Sequence, residues 1–358
     1  MTELHDYAGI IHFHSEYSHD GRIPLKEILS IAGEQGIDFL LLTDHSSLEG
    51  RWQGMEGWNN TVLLVVGQEI SPRFNHYLAF GIDEEIQVDE QDIIPPQGYV
   101  DRVRKGGGIG FIAHPDHEGT EMFHVKHFPW VDWDVSGYTG MGVWDFMTDW
   151  QASLRNYPRA LMSYLFPAHV LRGPRQVTLD RWDRLNQASK ISGIGELDNH
   201  DTPRKVLGIS LSVFPFRRAF RLIRTHVVLH TRLEGTSERD IPMLLDALKE
   251  GRAYIALEYF ERAKGFSFSI AGAGVRATMG EAFPLAGSAT LQVRTPVTGK
   301  IRVLRNGHII HEVEGREGVY CVREGGVYRV EVYLRRWWRW RPWIFSNPIA
   351  VTVLSVKR

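Results

Sequence analysis

Several apolar runs of strand length along this chain end in a histidine, an aspartate or a glutamate. Residues 38–43 form such a run before Asp44 and His45, and residues 62–67 form another shortly before Glu69. The other runs of this kind are 8–14, 110–113 before His114, 141–143 before Asp145, and 191–195 before Glu196. A continuous apolar run of this length is typical of a strand that is buried on both faces. The pattern predicts a parallel sheet with polar residues at its strand ends.

A helix is predicted between the first two strands. Pro24 suits a first helical position, apolar residues recur on one face over residues 25–32, and Gly36 fits a C-terminal cap. The resulting strand-helix-strand unit favours a closed or nearly closed parallel barrel. In such a barrel the C-terminal strand ends converge on one rim, where active sites are built. We therefore expect residues that are far apart in sequence to meet there.

The later part of the chain shows a different pattern of predicted secondary structure. Residues 237–251 predict a late helix that ends at Gly251. From about residue 265 the pattern changes to short alternating strands. The sequence thus predicts an α/β domain over residues 1–264 and a small all-β sandwich over residues 265–358.

Composition limits the partners and the compartment. The 358 residues carry a formal charge of −2, so no overall field favours nucleic acid or anionic membranes. The single cysteine, Cys321, cannot form an internal disulfide, which fits a reducing compartment. The first residues lack the basic segment and apolar core of a secretory signal, and no run of about 20 uncharged apolar residues is found, so we expect neither export nor a membrane span. We expect a soluble cytoplasmic protein with a small-molecule substrate and neither a nucleic-acid nor a membrane partner.

Histidines and carboxylates provide the candidate chemistry. His12 and His14 are two residues apart, so on a strand end they would point to the same side and could hold one metal ion. His19 or Asp20 could add a further ligand. The other candidates at or near strand ends are His45, Glu69, His76, His114, Asp145, Glu196, Asp198 and His200. Imidazole and carboxylate ligands without thiolates suit zinc, manganese or iron.

Some of these residues also have ordinary structural interpretations. His76 could be a packed histidine that is bonded to a backbone carbonyl. Asp145 and Glu196 could supply a missing ligand, but carboxylates at strand ends also cap helices or pair with arginines. The sequence leaves both interpretations open.

Taken together, the motifs resemble those of PHP (polymerase and histidinol phosphatase) domains, in order and spacing, over roughly residues 8–260. The matching motifs are His12-Phe13-His14-Ser15 with Asp20-Gly21, Thr43-Asp44-His45, Glu69, Ala113-His114-Pro115 and Asp198-Asn199-His200. The resemblance implies a distorted seven-stranded (β/α)7 barrel with two or three divalent metal ions at its C-terminal rim. The ligands that it implies are His12, His14, Asp20, His45, Glu69, His114, Asp198 and His200, with His76 as a further candidate.

The end of the chain suggests a subgroup. A PHP-like barrel followed by a β-sandwich that ends near residues 343–349 is similar to carbaryl-hydrolase-like proteins, which include carbamate-ester and amide hydrolases. The stretch 335–343 alternates tryptophan with arginine, which predicts packing at a domain interface. The same stretch could instead stack on a sugar, a base or a membrane surface.

The resemblance implies a metal-dependent hydrolase, and we expect a phosphomonoesterase. A divalent cation lowers the pKa of bound water from 15.7 to about 7, which supplies hydroxide as the nucleophile. His45 or His76 is the candidate for protonating the leaving atom. His76 is also a candidate substrate contact. The candidate cations for the phosphate lie in predicted rim loops: Arg22, Arg51, Arg73 and, above all, Arg204.

Two alternatives remain at this stage. A carbamate, ester or amide hydrolase with the same metal centre would use an aromatic pocket, for which the tryptophans between residues 130 and 150 are available. A non-catalytic or nuclease-like PHP module is the second alternative. Against it, every expected motif is occupied, and the near-neutral composition shows no basic track for a polymer.

Overall fold

The computed structural model describes residues 4–88, 95–121, 124–206 and 209–354, with only the backbone of the strand residues between 204 and 211. It is a mixed α/β structure in which nearly all described strands join one large sheet. This confirms the predicted α/β class.

The helices of the described residues are short to medium in length. They are α1 (Leu25–Glu34), α2 (Glu49–Trp52), α3 (Pro96–Lys105), α4 (Phe146–Gln151), α5 (Tyr157–Leu165), α6 (Pro167–Val170), α7 (Gln176–Ala188), α8 (Phe216–Ala219) and α9 (Ser237–Glu250). No helix in this described part is long and apolar enough to cross a membrane.

The strands divide into an early and a late set. The early set is β1 (His5–Ile11), β2 (Phe39–His45), β3 (Gly57–Asn59), β4 (Val62–Ile70), β5 (Tyr77–Phe80), β6 (Ile109–Ile112), β7 (Gly140–Asp145), β8 (Ser192–Glu196), β9 (Thr202–Val206), β10 (Ile209–Val213), β11 (Ile223–Leu229) and β12 (Ala253–Leu257). The late set is β13 (Ser267–Gly272), β14 (Val275–Thr278), β15 (Ala282–Leu285), β16 (Ala289–Arg305), β17 (His308–Val322), β18 (Gly326–Arg336), β19 (Arg339–Ser346) and β20 (Ile349–Val353).

Strand direction decides where the site can form. Strands β1, β2 and β4 are parallel neighbours, and so are β6, β7 and β8. Between these sets, β5 is antiparallel to both β4 and β6, as expected if residues 75–80 form the return strand of a hairpin. Because β5 is antiparallel to both of its neighbours, β6 runs in the same direction as β4. Strands β1, β2, β4, β6, β7 and β8 therefore all end on the same side of the sheet.

The sheet is not closed into a barrel by strand pairing. Among the described residues no ladder joins β8 to β1, although the segments that follow these strands do meet. The N–H groups of Leu197 and Asp198 donate to the carbonyls of Ile11 and His12 at 3.1 and 2.7 Å. These bonds place Asp198 beside the first histidine motif. The seven-stranded barrel itself stays a prediction.

Both faces of the early sheet are covered, which explains its continuous apolar runs. On β2, Leu40 packs in a core cluster with Ile28 of α1, whereas Leu41 packs in a second cluster with Leu244 of α9. The predicted late helix is confirmed as α9. It ends at Gly251, whose φ of 71° is the left-handed conformation that terminates many helices.

The late strands surround a separate apolar core that includes Phe268, Leu291 and Val330. Strands β16 and β17 form a long hairpin whose turn residues, Asn306 and Gly307, have φ of 51° and 84°, as a two-residue hairpin turn requires. These strands are much longer than the short strands that we predicted. Strand β19 also pairs with β12, so the sheet continues across the predicted domain boundary, and the sandwich and its boundary stay predictions.

Candidate metal centre

The chain turns sharply where the site residues leave the sheet. His12, Ser46, His114 and Asp198 follow β1, β2, β6 and β8 and have positive φ values of 69°, 48°, 26° and 50°. Non-glycine residues rarely adopt this conformation, and such strain concentrates at functional sites. His12 therefore lies outside the strand, so its orientation comes from this turn and not from the strand alternation that we predicted.

One buried carboxylate lies at the middle of the site. Among the described residues, five imidazoles approach the two oxygens of Glu69. They are His12 (3.2 Å), His14 (3.4 Å) and His45 (3.2 Å) at Oε2, and His76 (2.7 Å) and His114 (3.3 Å) at Oε1. Burial alone would raise the pKa of Glu69, but the surrounding histidines hold that pKa well below its usual range. Glu69 is therefore an ionised carboxylate that can serve several cations.

The candidate ligand atoms form three adjoining groups that share His14 and Glu69. The groups are His14, Asp20, His45 and His200; His12, His14, Glu69 and Asp198; and Glu69, His76 and His114. The structure thus brings together all eight ligands implied by the sequence motifs, and His76 with them. Their assignment as ligands stays a prediction.

The nitrogen atoms of His14 test whether these residues fit a cation. The side chain is fully buried, and neither ring nitrogen has a hydrogen-bond partner among the described residues. Burial, together with the neighbouring His200 and His45, lowers the pKa of His14 to about 3, so the imidazole is neutral and offers a lone pair. A buried polar group without a partner is costly, and a divalent cation would remove that cost. The residues present therefore fit zinc, manganese or iron.

The group around Asp20 forms the open side of the site. Oδ2 of Asp20 lies 3.1 Å from Nε2 of His200 and 3.5 Å from Nε2 of His45, and Asp20 is 37% exposed, whereas Glu69 is 1% exposed. His19 is exposed, and its ring centroid lies 5.0 Å from that of His45. Asp20, and not His19, therefore joins the candidate ligands, and its group is the most exposed of the three.

Glu196 orients ligands and is absent from the three ligand groups of the described residues. Its Oε2 accepts a hydrogen bond from Nδ1 of His12 at 2.8 Å, and its Oε1 accepts one from the backbone N–H of His114 at 2.9 Å. The carboxylate can reach both because residue 142 is glycine, where a Cβ atom would lie 1.3 Å from Oε1. The sequence signalled Glu196 only as a strand-end carboxylate and did not indicate which residues it contacts.

Asp145 has a structural role. Its carboxylate caps α4 by accepting a hydrogen bond from the N–H of Thr148 at 2.6 Å. Burial raises the pKa of Asp145 to about 7, and the nearby Asp198 and Glu196 charges act in the same direction. The helix-capping interpretation therefore describes this residue.

Two serine hydroxyl groups hold the site loops, and the sequence analysis named only one of them, Ser15, as part of a motif. Asp44 accepts hydrogen bonds from the N–H and Oγ of Ser15 at 2.6 and 2.7 Å, which fixes the chain directly after His14. The hydroxyl of Ser71 lies 2.9 Å from Nδ1 of His45. Both serines lie one or two residues beyond a predicted ligand, and that proximity was the available signal.

The four arginines that we predicted as phosphate contacts lie in different environments. Arg51 is bonded to Glu56 and to backbone carbonyls, and Arg22 is exposed. Arg204 lies on β9, and its side chain is outside the described part of the structure. Arg73 stacks over the ring of Phe128 at 5.4 Å, and that ring lies 5.1 Å from His76.

The tryptophans between residues 130 and 150 do not form the aromatic pocket that we considered. Trp130, Trp144 and Trp150 are buried in the core. The indole N–H of Trp130 donates to the backbone carbonyl of Asp132, and that of Trp144 donates to the carboxylate of Asp149. Packing holds all three inside the protein, and hydrogen bonds also hold Trp130 and Trp144. The ring of Phe128 lies 5.1 Å from that of His76 at the site.

Comparisons with known proteins add distant similarities. No protein-family model matches the chain. An uncharacterised protein of Methanocaldococcus jannaschii is 22% identical over 33% of this chain and 81% of its own length. A two-domain protein from Bacteroides vulgatus, which contains a predicted PHP-like metal-dependent phosphoesterase, has a similar structure over 96% of this chain and 95% of its own, at 14% identity and a TM-score of 0.42.

A second solved structure is from Bifidobacterium adolescentis, and metal-dependent phosphoesterase activity is only predicted for it. It covers 57% of this chain and 92% of its own, at 14% identity and a TM-score of 0.35. These similarities are distant and assign no reaction to this chain. The reaction is therefore inferred from the site.

Proposed function

We propose that this chain is a metal-dependent hydrolase of the PHP type that acts as a phosphomonoesterase on a small molecule. The observation that supports this proposal is the set of three adjoining ligand groups that share His14 and Glu69. Adjoining cation positions suit phosphoryl transfer because its transition state spreads negative charge over several oxygens. The proposal includes a seven-stranded barrel and two or three zinc, manganese or iron ions.

Bound divalent cations would supply the charge that activates water near neutral pH and polarises the scissile bond. The protein's own residues would perform the remaining tasks. Glu69 offers one oxygen to the His12 and His14 side and the other to the His76 and His114 side. Glu196 fixes the ring of His12 through Nδ1, which leaves Nε2 directed at Glu69.

His76 is positioned for the proton of the leaving group. Its Nδ1 donates to Oε1 of Glu69 at 2.7 Å, and no described residue makes a hydrogen bond to its Nε2. Phe128 lies against the same ring, and Arg73 stacks on Phe128. We therefore infer that the substrate lies on this side, with Arg73 near its phosphate and Phe128 beside its apolar part. His45 is the second candidate for the proton, since Ser71 holds its Nδ1 in the same way.

One observation favours a second candidate function, the hydrolysis of a carbamate, ester or amide. The ring centroids of Phe128 and His76 lie 5.1 Å apart, so an aromatic leaving group could stack beside the site. The buried tryptophans no longer support that alternative, because their rings are packed in the core. Phosphate-ester hydrolysis is therefore the leading candidate.

The test combines metal content with two substrates. We expect the purified protein to hold at least two equivalents of zinc, manganese or iron and to hydrolyse an aryl phosphate faster than an aryl carbamate. Replacement of His14 by alanine should remove bound metal and activity together, since His14 belongs to two ligand groups. The matched control is His308→Ala, at an exposed position on β17, which should retain both.

The results distinguish the candidates. Turnover of the carbamate alone would replace the phosphoesterase by the second candidate. Full activity of His14→Ala after loss of its metal would contradict the metal-dependent hydrolase itself.

A further inference from the structure

A second pocket lies apart from the three ligand groups, where β11 begins and β12 ends. It encloses about 540 Å³ of space that opens to solvent. Its lining residues are Arg221, Arg224, Glu258, Tyr259, Phe260, Glu261 and Arg262. None of them belongs to the candidate ligand groups of the described residues.

Arg224 is the buried cation of this pocket. It is 1% exposed, and its Nε donates to the carbonyl of Phe220 at 3.0 Å. Within the described part of the chain, its two terminal amino groups make no hydrogen bond. Burial lowers the pKa of Arg224 to about 10, which still leaves the guanidinium charged at neutral pH. A buried cation with unpaired donors is costly, so an anion that reaches it would be stabilised.

The acidic residues of the pocket already have partners. Glu258 accepts hydrogen bonds from the N–H of Ala263 at 2.7 Å and from Nε2 of His226 at 3.2 Å. Glu261 forms an ion pair with Arg336 at 2.6 Å. Glu261 is therefore compensated from outside the pocket, whereas Glu258 is shared between His226 and the pocket residues Arg224 and Arg262.

The two other arginines of the pocket are exposed at its entrance. Arg221 stacks on the ring of Tyr259 at 5.5 Å. Arg262 makes one long contact with Glu258, at 3.4 Å, and its side chain is 62% exposed. Both guanidinium groups can turn towards a ligand while Arg224 stays fixed. The pocket is lined by three arginines and two glutamates, so its net charge is positive.

We propose that this pocket binds a phosphate-type anionic group through Arg221, Arg224 and Arg262. The planar guanidinium fork matches a phosphate in the two-bond geometry that such oxygens favour. Tyr259 and Phe260 give the pocket aromatic walls for the part of the ligand that carries the phosphate. The site is independent of the hydrolytic reaction proposed above, because it uses different residues.

The phosphate can belong to a soluble molecule or to a lipid headgroup at a membrane surface. The second source is relevant because Trp337 and Trp338, at the tip of the β18–β19 hairpin, are 78% and 75% exposed. The ring of His169 lies 5.2 Å from Phe260 and 6.1 Å from Trp337, so the hairpin tip is next to the pocket. Exposed tryptophans beside arginines suit an anionic membrane surface.

Calorimetric titration of the metal-loaded protein with inorganic phosphate tests the soluble source. We expect a binding component that weakens about tenfold for each of Arg221→Gln and Arg262→Gln, because each removes a charge-assisted hydrogen bond. Arg323→Gln, at an exposed position after β17, is the control and should bind normally. A component that His14→Ala removes would belong to the metal centre. Arg224→Met should weaken binding most, but the two exposed positions keep the test valid if that variant does not fold.

Sedimentation with vesicles tests the lipid source. Vesicles of phosphatidylcholine, with and without phosphatidylglycerol, would be compared for wild type, the Arg221→Gln/Arg262→Gln variant and Trp337→Ser. Binding only to the anionic vesicles, reduced by both variants, would assign the pocket to a lipid headgroup. A component for inorganic phosphate that depends on the arginines would assign it to a soluble ligand. If neither ligand shows binding that depends on Arg221 and Arg262, the proposal is wrong.

Discussion

The residues of the site have two different roles. Some would bind a cation directly, and others orient the residues that do. His12 is within 3.2 Å of Glu69 through Nε2, while its Nδ1 is bonded to Glu196 at 2.8 Å. A carboxylate in this position fixes the ring orientation and the tautomer of a metal-binding histidine and raises its basicity. Glu196 therefore acts through His12 and, by its bond to the backbone of His114, through a second ligand.

The change Glu196→Gln should weaken metal binding by about ten- to hundredfold, as is typical when a charged partner of a metal-binding histidine is neutralised. Competition with a chelator would measure the affinity. Glu281→Gln is the matched control, because Glu281 bonds His230 at 2.9 Å outside the ligand groups. Equal affinities for the two variants would show that Glu196 does not support the ligands.

His226 is a fully buried histidine on β11 with a charge that depends on pH. Its Nδ1 donates to Asp6 at 2.8 Å and its Nε2 to Glu258 at 3.2 Å. Burial alone would lower its pKa, but Asp6 and Glu258 outweigh burial and raise the pKa of His226 from 6.5 to about 9. Its stabilising effect is therefore fully present below pH 6.5 and is lost as the pH rises through 9.

We expect the free energy of unfolding to fall by up to about 3 kcal/mol across this pH range through His226. Urea denaturation at several pH values would measure the decrease. The variant His226→Gln should start less stable and lose this pH dependence, whereas the exposed His308→Gln should keep it. A wild-type profile that stays flat between pH 6.5 and 9 would contradict the assigned charge.

Among secondary-structure elements, α7 and β18 are joined by a buried ion pair. The guanidinium of Arg329 donates to both oxygens of Asp183 at 2.6 and 2.7 Å and to Glu331 at 2.7 Å. Arg329 is 2% exposed, so the two residues depend on each other for charge compensation. A second link joins the segment between β19 and β20 to β8. There the side chain of Asn347 bonds both the N–H and the carbonyl of Gly193.

Replacement of Asp183 by asparagine should destabilise the protein by about 3–5 kcal/mol, because it leaves a buried charge with less compensation. Asp180→Asn, on the same helix but exposed and bonded to Gln176, should change stability little. Urea unfolding of both variants would measure the difference. Similar, small effects at both positions would mean that the α7–β18 contact does not depend on this pair.

In the whole molecule, the candidate cations would connect segments that strand pairing leaves apart. The nine ligand candidates follow or end β1, β2, β4, β6 and β8 or precede β5, and β8 lacks a ladder to β1 among the described residues. Bound cations would therefore close this edge of the sheet as well as support catalysis.

Removal of metal by a chelator should lower the melting temperature, and added metal should restore it. A ligand that binds only the folded state stabilises it by about 2.7 kcal/mol when its concentration is a hundred times its Kd. Thermal unfolding with and without chelator would measure the shift, and His14→Ala should show little or none. An unchanged melting temperature in protein shown to lose its metal would contradict a role for the cations in closing the sheet.

The sequence by itself determined the features that depend on neighbours along the chain. The apolar runs, the helix that ends at Gly251, and the turn at Asn306 and Gly307 follow from local periodicity and turn chemistry, so residues within a few positions of each other set each of them. The nine ligand candidates are those that the resemblance of the motifs to PHP domains implies.

Only the tertiary structure decided what distant residues do together. It paired Glu196 with His12, 184 positions away, placed Asp145 at a helix cap and packed Trp130 and Trp144 into the core. It also left the sheet unclosed and brought together the arginine pocket. The physical reason is that hydrogen bonds, burial and compensation of charge act between atoms that are close in space, and the order of residues along the chain does not fix which atoms those are.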